Sequence, residues 1–407
     1  MERSRNSMLT ALRGLPATVW LVSLISLVND SASEMIYPLV PLYLVSVLRG
    51  GPQALGLIEG VAEATAALLK LVSGVVVDRT RRSKPWVVVG YALAGFGRPL
   101  IAFARSWPWL LLIRFGDRLG KGLRSSPRDA LIAGAVRAEH RGLAFGLHRA
   151  MDNAGAVIGP LAAAALLAAG LPLQQVFLWS VLPAAICLGL TLALREPAPA
   201  ARVERGPPVQ WRWYALPPAL RRYLGVVALF TLGNSSNMFL LLRAHELGVP
   251  KSEVPLLWAA VSAVAAVFST PLSALSDRVG RVRMLGGGYF AYALFYAAFG
   301  FLDHGGLWLF ALFGAYGIFL AATEGVEKAL VADLAAAEGR GTAYGWFNLT
   351  LGALLLPASL LFGALYQHVS PRMAFLFSAV CAGIAAIGLL ARVRVPSGPG
   401  DPPRIAQ

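Results

Sequence analysis

The amino-acid sequence predicts an all-α membrane protein with 12 transmembrane helices in two pseudo-symmetric six-helix bundles. Of its 407 residues, 57% are hydrophobic and only 14% are charged, whereas soluble domains carry about 25% charged residues. The apolar residues come in runs of about 20, which is the length of a helix that crosses a bilayer. Short motifs of the first half also recur in the second half, about 199 residues later.

The apolar runs define twelve predicted spans, numbered here in chain order. They lie near residues 17–42, 53–73, 85–104, 107–125, 143–169, 174–194, 222–242, 254–275, 284–302, 306–329, 342–366 and 373–392. Because the runs are continuously apolar rather than alternating, a transmembrane β-barrel is excluded. Most connections are short, which predicts antiparallel neighbours.

A polar, proline-rich stretch divides the chain after the sixth span. It predicts an N-terminal bundle over 1–195, a cytoplasmic linker over 196–221 and a C-terminal bundle over 222–394. The residues 395–407 are rich in Pro and Gly and are expected to form a disordered cytoplasmic tail.

The internal repeat supports the two-bundle prediction. Residues 74–82 correspond to 273–281, residues 141–146 to 340–345, and residues 177–180 to 375–378. The order is the same in both halves and the offset is nearly constant, which chance does not readily produce. Two apolar half-proteins joined in the middle are typical of secondary transporters.

The formal net charge of +15 follows the loops of the chain. Basic residues concentrate on the side of both termini, and the loops of the other side hold little beyond Arg49, Arg105, Lys251 and Arg372. This asymmetry predicts that both termini are cytoplasmic, in the inner (cytoplasmic) membrane of the cell. The positive charge therefore indicates topology and an anionic lipid surface, and no nucleic-acid partner is expected.

The sequence shows no sign of an enzyme or of a cofactor. It contains no Walker-type Gly-Lys-Ser/Thr motif, no His-Glu-xx-His and no Gly-x-Ser-x-Gly. Five His and seven Met residues are thinly spread, so no metal site is expected. Cys187 and Cys381 fall inside apolar runs and indicate buried thiols rather than a disulfide framework.

Charged side chains inside the spans are expensive and therefore informative. Asp30 and Glu34 share one face of span 1, and span 4 carries Arg114, Asp117 and Arg118. These residues fit either internal ion pairs or a polar path across the membrane. Both interpretations stay open for Asp117 and Arg118. For Asp30, Glu34 and Arg114 the path is favoured, because they lie deepest and span 1 has two acids without a base.

The second half lacks the counterparts of these carboxylates. Segment 232–238, which includes Asn234 and Asn237, echoes segment 27–35, but Ser and Asn stand in place of the acids, and Trp258 corresponds to Glu59. We therefore expect the first half to couple protons and both halves to bind substrate. His148, four residues before Asp152, could serve as a proton relay or as half of a metal pair.

Taken together, the halves, the linker and the motifs resemble the major facilitator superfamily over essentially the whole chain. Its signature loop after span 2 is matched by Gly74, Asp78, Arg79 and Arg81, with Arg82 completing a basic pair. The resemblance implies two six-helix bundles around a central cavity, which rock to alternate access to the two sides of the membrane. The gate that this motif forms is expected to include Asp117, Arg118, Asp277 and Arg278.

Two further motifs resemble those of proton-coupled members of this superfamily. The segment from Arg114 to Gly122 is similar to a span-4 motif whose leading Arg works with membrane carboxylates in proton transfer. Gly155, Gly159 and Pro160 resemble the span-5 motif of antiporters, in which small residues let helices approach and the Pro bends the helix.

The sequence thus predicts a proton-coupled antiporter that exports a small organic molecule and works as a monomer. Asp30, Glu34 and Arg114 are the predicted proton-coupling residues. The candidates for substrate binding are Glu59, Glu63, Arg98, Arg149, Asp152, Asn234, Asn237, Trp258, Glu324, Glu327 and Trp346. One alternative is a transporter of an anionic metabolite, siderophore or metal complex, with Arg98, Arg114 and Arg149 as binding charges. Another is a sensor or scaffold that has lost flux.

Overall fold

The computed structural model describes residues 14–80, 82–136, 141–195, 213–335 and 340–394, and this part of the chain is almost wholly helical. Twelve spans follow one another, as the sequence predicts. Their bounds are Ala17–Ile36 with Tyr37–Leu39 and Val40–Ser46 (span 1), Pro52–Thr80 (2), Lys84–Leu100 with Ile101–Phe103 (3), Trp107–Ala135 (4), Arg141–Ala168 (5), Leu173–Trp179 with Val181–Leu192 (6), Pro218–Gly233 with Met238–Glu246 (7), Val254–Val279 (8), Arg281–Phe301 (9), Leu307–Leu334 (10), Arg340–His368 (11) and Pro371–Arg392 (12).

Within the described residues, nine spans are long and apolar enough to cross a membrane by composition alone. Spans 2, 4 and 8 are the exceptions. Spans 2 and 4 carry charged side chains along their length, among them Glu59 and Glu63 in span 2 and Arg114 and Asp117 in span 4. Span 8 has a shorter apolar stretch over Val254–Ser269.

The first spans of the two halves are both interrupted near mid-membrane. In span 1 a 3-10 turn that contains Pro38 joins two α-helical segments, because Pro has no N–H to donate to the helix ladder. In span 7 the helix stops at Gly233 and resumes at Met238, whose N–H donates to the Ser236 hydroxyl at 3.3 Å. Irregular backbone at membrane depth needs such internal partners.

The packing of the spans repeats from one half to the other. In the first half the contacting pairs are 1–5, 1–6, 2–4, 3–4 and 3–6. The second half has the equivalent pairs 7–11, 7–12, 8–10, 9–10 and 9–12. The halves meet mainly through spans 2 and 11 and through spans 5 and 8, which are also equivalent pairs. The predicted arrangement of two pseudo-symmetric six-helix bundles is confirmed.

The two membrane faces of the molecule differ in how the halves meet. We call the face where span 1 begins and span 12 ends the terminal face, and the other the distal face. At the distal face the Gln53 N–H donates to Gln367 Oε1 at 3.0 Å, and a continuous apolar cluster joins spans 1 and 7. Towards the terminal face, Arg149 and Glu324 pair across the halves with side chains 62% and 55% exposed. The sealed contact thus lies on the distal side.

Candidate functional site

Spans 1 and 5 approach each other closely along the Gly155–Gly159 stripe. A Cβ built on Gly155 would lie 2.5 Å from the Leu27 carbonyl oxygen and 3.0 Å from the Cβ of Asp30. On Gly159 it would lie 2.7 Å from the Met35 nitrogen. Small residues allow this approach. The two glycines of the predicted antiporter motif therefore pack directly against the turn of span 1 that carries Asp30 and Glu34.

Span 5 continues as one helix through Pro160, the third residue of the predicted kink motif. The Pro at this position cannot donate its own backbone hydrogen bond. The α-helix nevertheless continues without a break from Arg141 to Ala168.

Three buried or half-buried carboxylates of the first half each have an arginine partner. Arg114 donates to Glu59 Oε1 at 2.6 Å, and Arg98 donates to Asp117 Oδ1 at 3.0 Å. The third pair joins Arg118 and Glu63 at 3.0 Å. These bonds link spans 2, 3 and 4 into one internal network. A buried ion pair of this kind is costly to break, because the remaining partner keeps an uncompensated charge.

Arg114 and Arg98 both belong to this network, and their roles in proton coupling and substrate binding stay predictions. Arg114 contacts Glu59 and approaches Asp117 at 3.7 Å. The cations that face Asp30 and Glu34 are instead Arg124, Arg128, Lys121 and Arg118. Arg98 is buried and also donates to the backbone and side-chain oxygens of Asn29. Spacing placed Arg114 on the correct face of span 4 but did not reveal which acid opposes it.

Asp117 and Arg118 likewise lie inside the first bundle. Span 4 begins at Trp107, so both residues lie about ten residues, or roughly 15 Å, from that end of the helix. Their partners are Arg98 and Glu63. This pairing fits the ion-pair interpretation of these two residues, and their place in the gate stays a prediction.

Asp30 and Glu34 differ from the other membrane carboxylates of the first half. No described Arg or Lys lies within ion-pair distance of either residue. Asp30 accepts a hydrogen bond from the neighbouring Asn29 amide at 2.8 Å. Glu34 accepts one from Trp258 Nε1 at 2.8 Å, across the boundary between the halves. These two acids are thus held by neutral donors.

A polar and aromatic layer crosses between the halves at the level of Glu34. The Tyr37 and Trp258 rings pack with centroids 5.1 Å apart. The Ser236 hydroxyl lies 3.4 Å from Glu59 Oε2 and donates to it. Spans 1, 2, 7 and 8 therefore converge here, at the breaks in spans 1 and 7. We call Glu34, Tyr37, Glu59, Ser236 and Trp258 the midplane layer.

Tyrosine side chains extend this layer into the second half. The Tyr316 hydroxyl donates to Asn237 Oδ1 at 2.6 Å, and the Tyr292 hydroxyl donates to Asn234 Oδ1 at 3.2 Å. Tyr292 also stacks on Tyr296 with centroids 4.0 Å apart. The predicted candidates Asn234 and Asn237 are thus brought together with aromatic hydroxyls.

The remaining candidates of the second half lie nearer the terminal face. Glu324 pairs with Arg149 of span 5 at 2.6 Å. Glu327 is half-buried and accepts a hydrogen bond from the Tyr289 hydroxyl at 2.8 Å. Trp346 packs edge-on against Trp213, at the end of the linker, with centroids 5.2 Å apart. Trp346 therefore lies apart from the midplane layer.

Asp152 lies on span 5, one turn before Gly155. Among the described carboxylates, it has the strongest charge–charge interaction with Asp30. Its Oδ2 lies 3.6 Å from His148 Nε2. Span 5 thus adds a second acid and an imidazole to the Asp30 region. Among the described residues, no group of three or more His, Cys, Asp and Glu side chains could hold a metal ion.

Most of the predicted gate lies outside the described side chains. This applies to Gly74, Asp78 and Arg79 at the end of span 2, and to Asp277 of span 8. Arg81 falls outside the described residues altogether. Arg278 is exposed near the end of span 8. The gate assignment stays a prediction.

Sequence reasoning missed Tyr37, Ser236 and Tyr316 as parts of the site. Tyr37 follows Glu34 by three residues and so lies on the same helix face, a spacing that could have identified it. Ser236 stands between Asn234 and Asn237 in the segment that echoes Asp30 and Glu34. Tyr316 has no such signal, because its role depends on how span 10 packs.

Comparison with known proteins assigns the chain to a family. A family model described as Major Facilitator Superfamily matches residues 22–241 and, a second time, residues 223–407. The MFS-type transporter MJ1317 of Methanocaldococcus jannaschii, itself described as uncharacterized, is 35% identical over 392 residues, covering 93% of this chain and 95% of its own. These matches confirm the resemblance found in the sequence motifs.

Two further matches are more distant. The multidrug resistance protein MdtH of Photorhabdus laumondii is 34% identical over 128 residues, which is 31% of each chain. The crystal structure of a mutant of the nucleoside transporter NupG superposes with a TM-score of 0.78 at 13% identity, covering 93% of this chain and 100% of that one. The likeness to NupG shows the shared fold.

Proposed function

Because the chain belongs to the major facilitator superfamily and is a multi-pass membrane transporter, we propose that it is a proton-driven antiporter. Its substrate is a small organic molecule, lipophilic or cationic, which it exports by alternating access. The terminal face is the cytoplasmic face of the cytoplasmic membrane, in keeping with the basic loops on that side. The transporter works as a monomer.

The observation that carries this proposal is the contrast among the acids of the first half. Glu59, Glu63 and Asp117 each have an arginine partner, whereas Asp30 and Glu34 have neutral hydrogen-bond donors. An ionised group at membrane depth is expensive when it lacks a paired charge. A proton or a cationic substrate can remove that cost, and the two ligands therefore compete for the same carboxylates.

The surroundings of Glu34 suit a cation with an apolar body. The Tyr37 and Trp258 rings pack beside the carboxylate, and aromatic faces attract cations that approach within about 6 Å of the ring centre. Because Glu34 lies on span 1 and Trp258 on span 8, a ligand here contacts both halves. Its binding can therefore depend on how the halves are arranged.

The export direction draws support from one relative. MdtH is named a multidrug resistance protein. Resistance to drugs is the effect expected of an exporter of drug-like compounds. The proposed gate comprises Gly74, Asp78, Arg79, Arg81, Asp277 and Arg278, and its opening at the terminal face would admit substrate from the cytoplasm.

The anion-transporter alternative has less support, because all three of its binding charges are paired with carboxylates. Arg98 is bonded to Asp117 and Arg114 to Glu59, and both arginines are buried. Arg149 is exposed, but it pairs with Glu324. Anionic compounds are therefore included in the test as the competing class.

Transport measurements in proteoliposomes test the proposal. Purified protein is reconstituted with a pH-sensitive dye, a pH gradient is imposed, and cationic, neutral and anionic compounds are added in turn. We expect cationic or lipophilic compounds to drive proton release, and the variant Asp30→Asn/Glu34→Gln to abolish it. The matched control Glu253→Gln/Asp303→Asn removes two exposed loop carboxylates and should behave as wild type. If no compound of the panel causes the wild type to release protons, antiport is contradicted.

The compound class then separates the alternatives. Release driven by anions alone would favour the anion transporter. Undiminished release in the Asp30→Asn/Glu34→Gln variant would show that protons bind elsewhere.

A further inference from the structure

His148 is a buried imidazole without a hydrogen-bond partner among the described residues. Its exposed fraction is 4%, and neither Nδ1 nor Nε2 has a hydrogen-bond partner among the described groups. Asp152 lies one turn further along span 5, and its buried Oδ1 also has no hydrogen-bond partner among the described groups. Polar atoms buried in this way are ordinarily satisfied by water. The pair therefore presents buried polar atoms that water would satisfy, and not a purely apolar contact.

The pair lies between Asp30 and the terminal face. Span 5 begins at that face with Arg141, and His148 follows after about two turns. Asp152 comes next, and then Gly155, which packs against Asp30. Arg149, the neighbour of His148, is 62% exposed, so water reaches this level of the span. His148, Asp152 and Asp30 thus form an ordered series from water to the proposed proton site.

We propose that His148 and Asp152 form a proton relay that connects Asp30 with the terminal face. The inference rests on the proposed proton coupling and names the route that the proton takes. The geometry suits transfer between the two side chains after a small movement, because His148 Nε2 and Asp152 Oδ2 are 3.6 Å apart, just beyond direct hydrogen-bond distance.

Each step of the relay moves one proton and restores the group that passes it on. A proton leaves the Asp30 carboxyl group and protonates the Asp152 carboxylate through water. Asp152 passes a proton to a neutral nitrogen of His148, and the imidazolium releases a proton to water at the terminal face. The charged groups that face His148 are Arg128 and Asp129 of span 4, Asp30 of span 1 and Arg149 of its own span. Imidazole is the side chain whose ordinary titration range lies between about pH 5 and 8.

The test compares His148→Gln and Asp152→Asn with wild type in proteoliposomes. We expect the initial rate of substrate-driven proton release to fall about 100-fold in each, the lower end of what a positioned proton-transfer group contributes. The dependence of this rate on pH should also flatten, because each variant removes a group that takes up and releases the proton. The double variant should be no slower than either single one, because both residues lie on one path. His304→Gln, in an exposed loop, is the matched control and should behave as wild type.

Substrate counterflow, which moves no net proton, separates a relay from a structural role. The relay predicts that counterflow and melting temperature are retained in His148→Gln. Proton release and pH dependence like those of the wild type in both variants would overturn the relay, as would a parallel loss of counterflow and melting temperature in His148→Gln. If His148→Gln does not fold, His148→Asn decides by the same criteria. Absence of proton release in the wild type would contradict the proposed function itself, whereas normal release with unaffected variants would contradict the relay alone.

Discussion

At the scale of single residues, the molecule separates two kinds of membrane charge. Arg98 and Asp117 neutralise each other inside the first bundle, and Arg114 and Glu59 do the same. Asp30 and Glu34 stand apart with neutral donors. The paired charges hold spans together, because removing one partner leaves the other buried without compensation. In the proposed function, Asp30 and Glu34 are the acids that bind protons and a cationic substrate.

The Arg98–Asp117 pair gives a stability prediction. Arg98→Gln should lower the free energy of unfolding by about 3–5 kcal/mol, because it removes the guanidinium closest to the buried Asp117 carboxylate and leaves only Arg114, at 3.7 Å, beside it. Arg98→Gln/Asp117→Asn should recover a large part of this loss. The control Arg149→Gln breaks an exposed pair and should cost less than about 1 kcal/mol. Thermal and denaturant unfolding in detergent measure all three, and equal losses for Arg98→Gln and Arg149→Gln would contradict a buried structural pair.

At the scale of the elements, the close packing of spans 1 and 5 determines where Asp30 and Glu34 lie. Gly155 and Gly159 allow the backbone of span 5 to touch the turn between Leu27 and Met35. Span 5 also contacts span 8 of the other half. A movement of span 5 relative to span 1 would therefore change the surroundings of both carboxylates.

This packing predicts a different effect for two glycines of one helix. Gly159→Ala places a Cβ 2.7 Å from the Met35 nitrogen, so the helices must move apart, and we expect substrate transport to fall at least about tenfold, since small geometric errors at a site are costly. Gly146→Ala meets nothing within 4 Å and should gain helix stability of up to about 1 kcal/mol. Initial transport rates and melting temperatures measure both variants. Equal transport by the two would show that the close approach is dispensable.

The sequence predicts the positions of the spans better than the side-chain contacts between them. The repeat and the apolar runs predict two six-span bundles, and the spacing of Asp30 and Glu34 predicts their shared face. Sequence spacing does not encode how each helix is rotated against its neighbours. For this reason three contacts could not be predicted from the sequence. They are the ion pairs Arg114–Glu59 and Arg98–Asp117 and the hydrogen bond from Tyr316 to Asn237.

At the scale of the whole molecule, the two halves are joined at the distal face and at the midplane layer. Gln53 bonds to Gln367 at the distal face, and Glu34 bonds to Trp258 at mid-membrane. Near the terminal face the Arg149–Glu324 pair is exposed. The arrangement is that of a transporter whose distal side is closed, and a transport cycle requires the distal contact to open.

A crosslink tests this requirement. Cysteines placed at Gln53 and Gln367 and joined by a cleavable thiol-reactive linker should stop transport almost completely, because the distal face then stays closed. Cleavage of the linker should restore it. Cys187 and Cys381 are buried and should react slowly, and the two single-cysteine variants treated with the linker serve as controls. Full transport by the crosslinked protein would contradict alternating access through this face.

The claim that unites these scales is that protons and substrate compete for Asp30 and Glu34. The most direct measurement is proton release when a transported cationic compound is added to detergent-purified protein in weakly buffered solution. We predict that the wild type and Glu253→Gln/Asp303→Asn release protons on binding, whereas Asp30→Asn/Glu34→Gln releases none. Equal proton release by the Asp30→Asn/Glu34→Gln variant, with the compound bound, would contradict the claim.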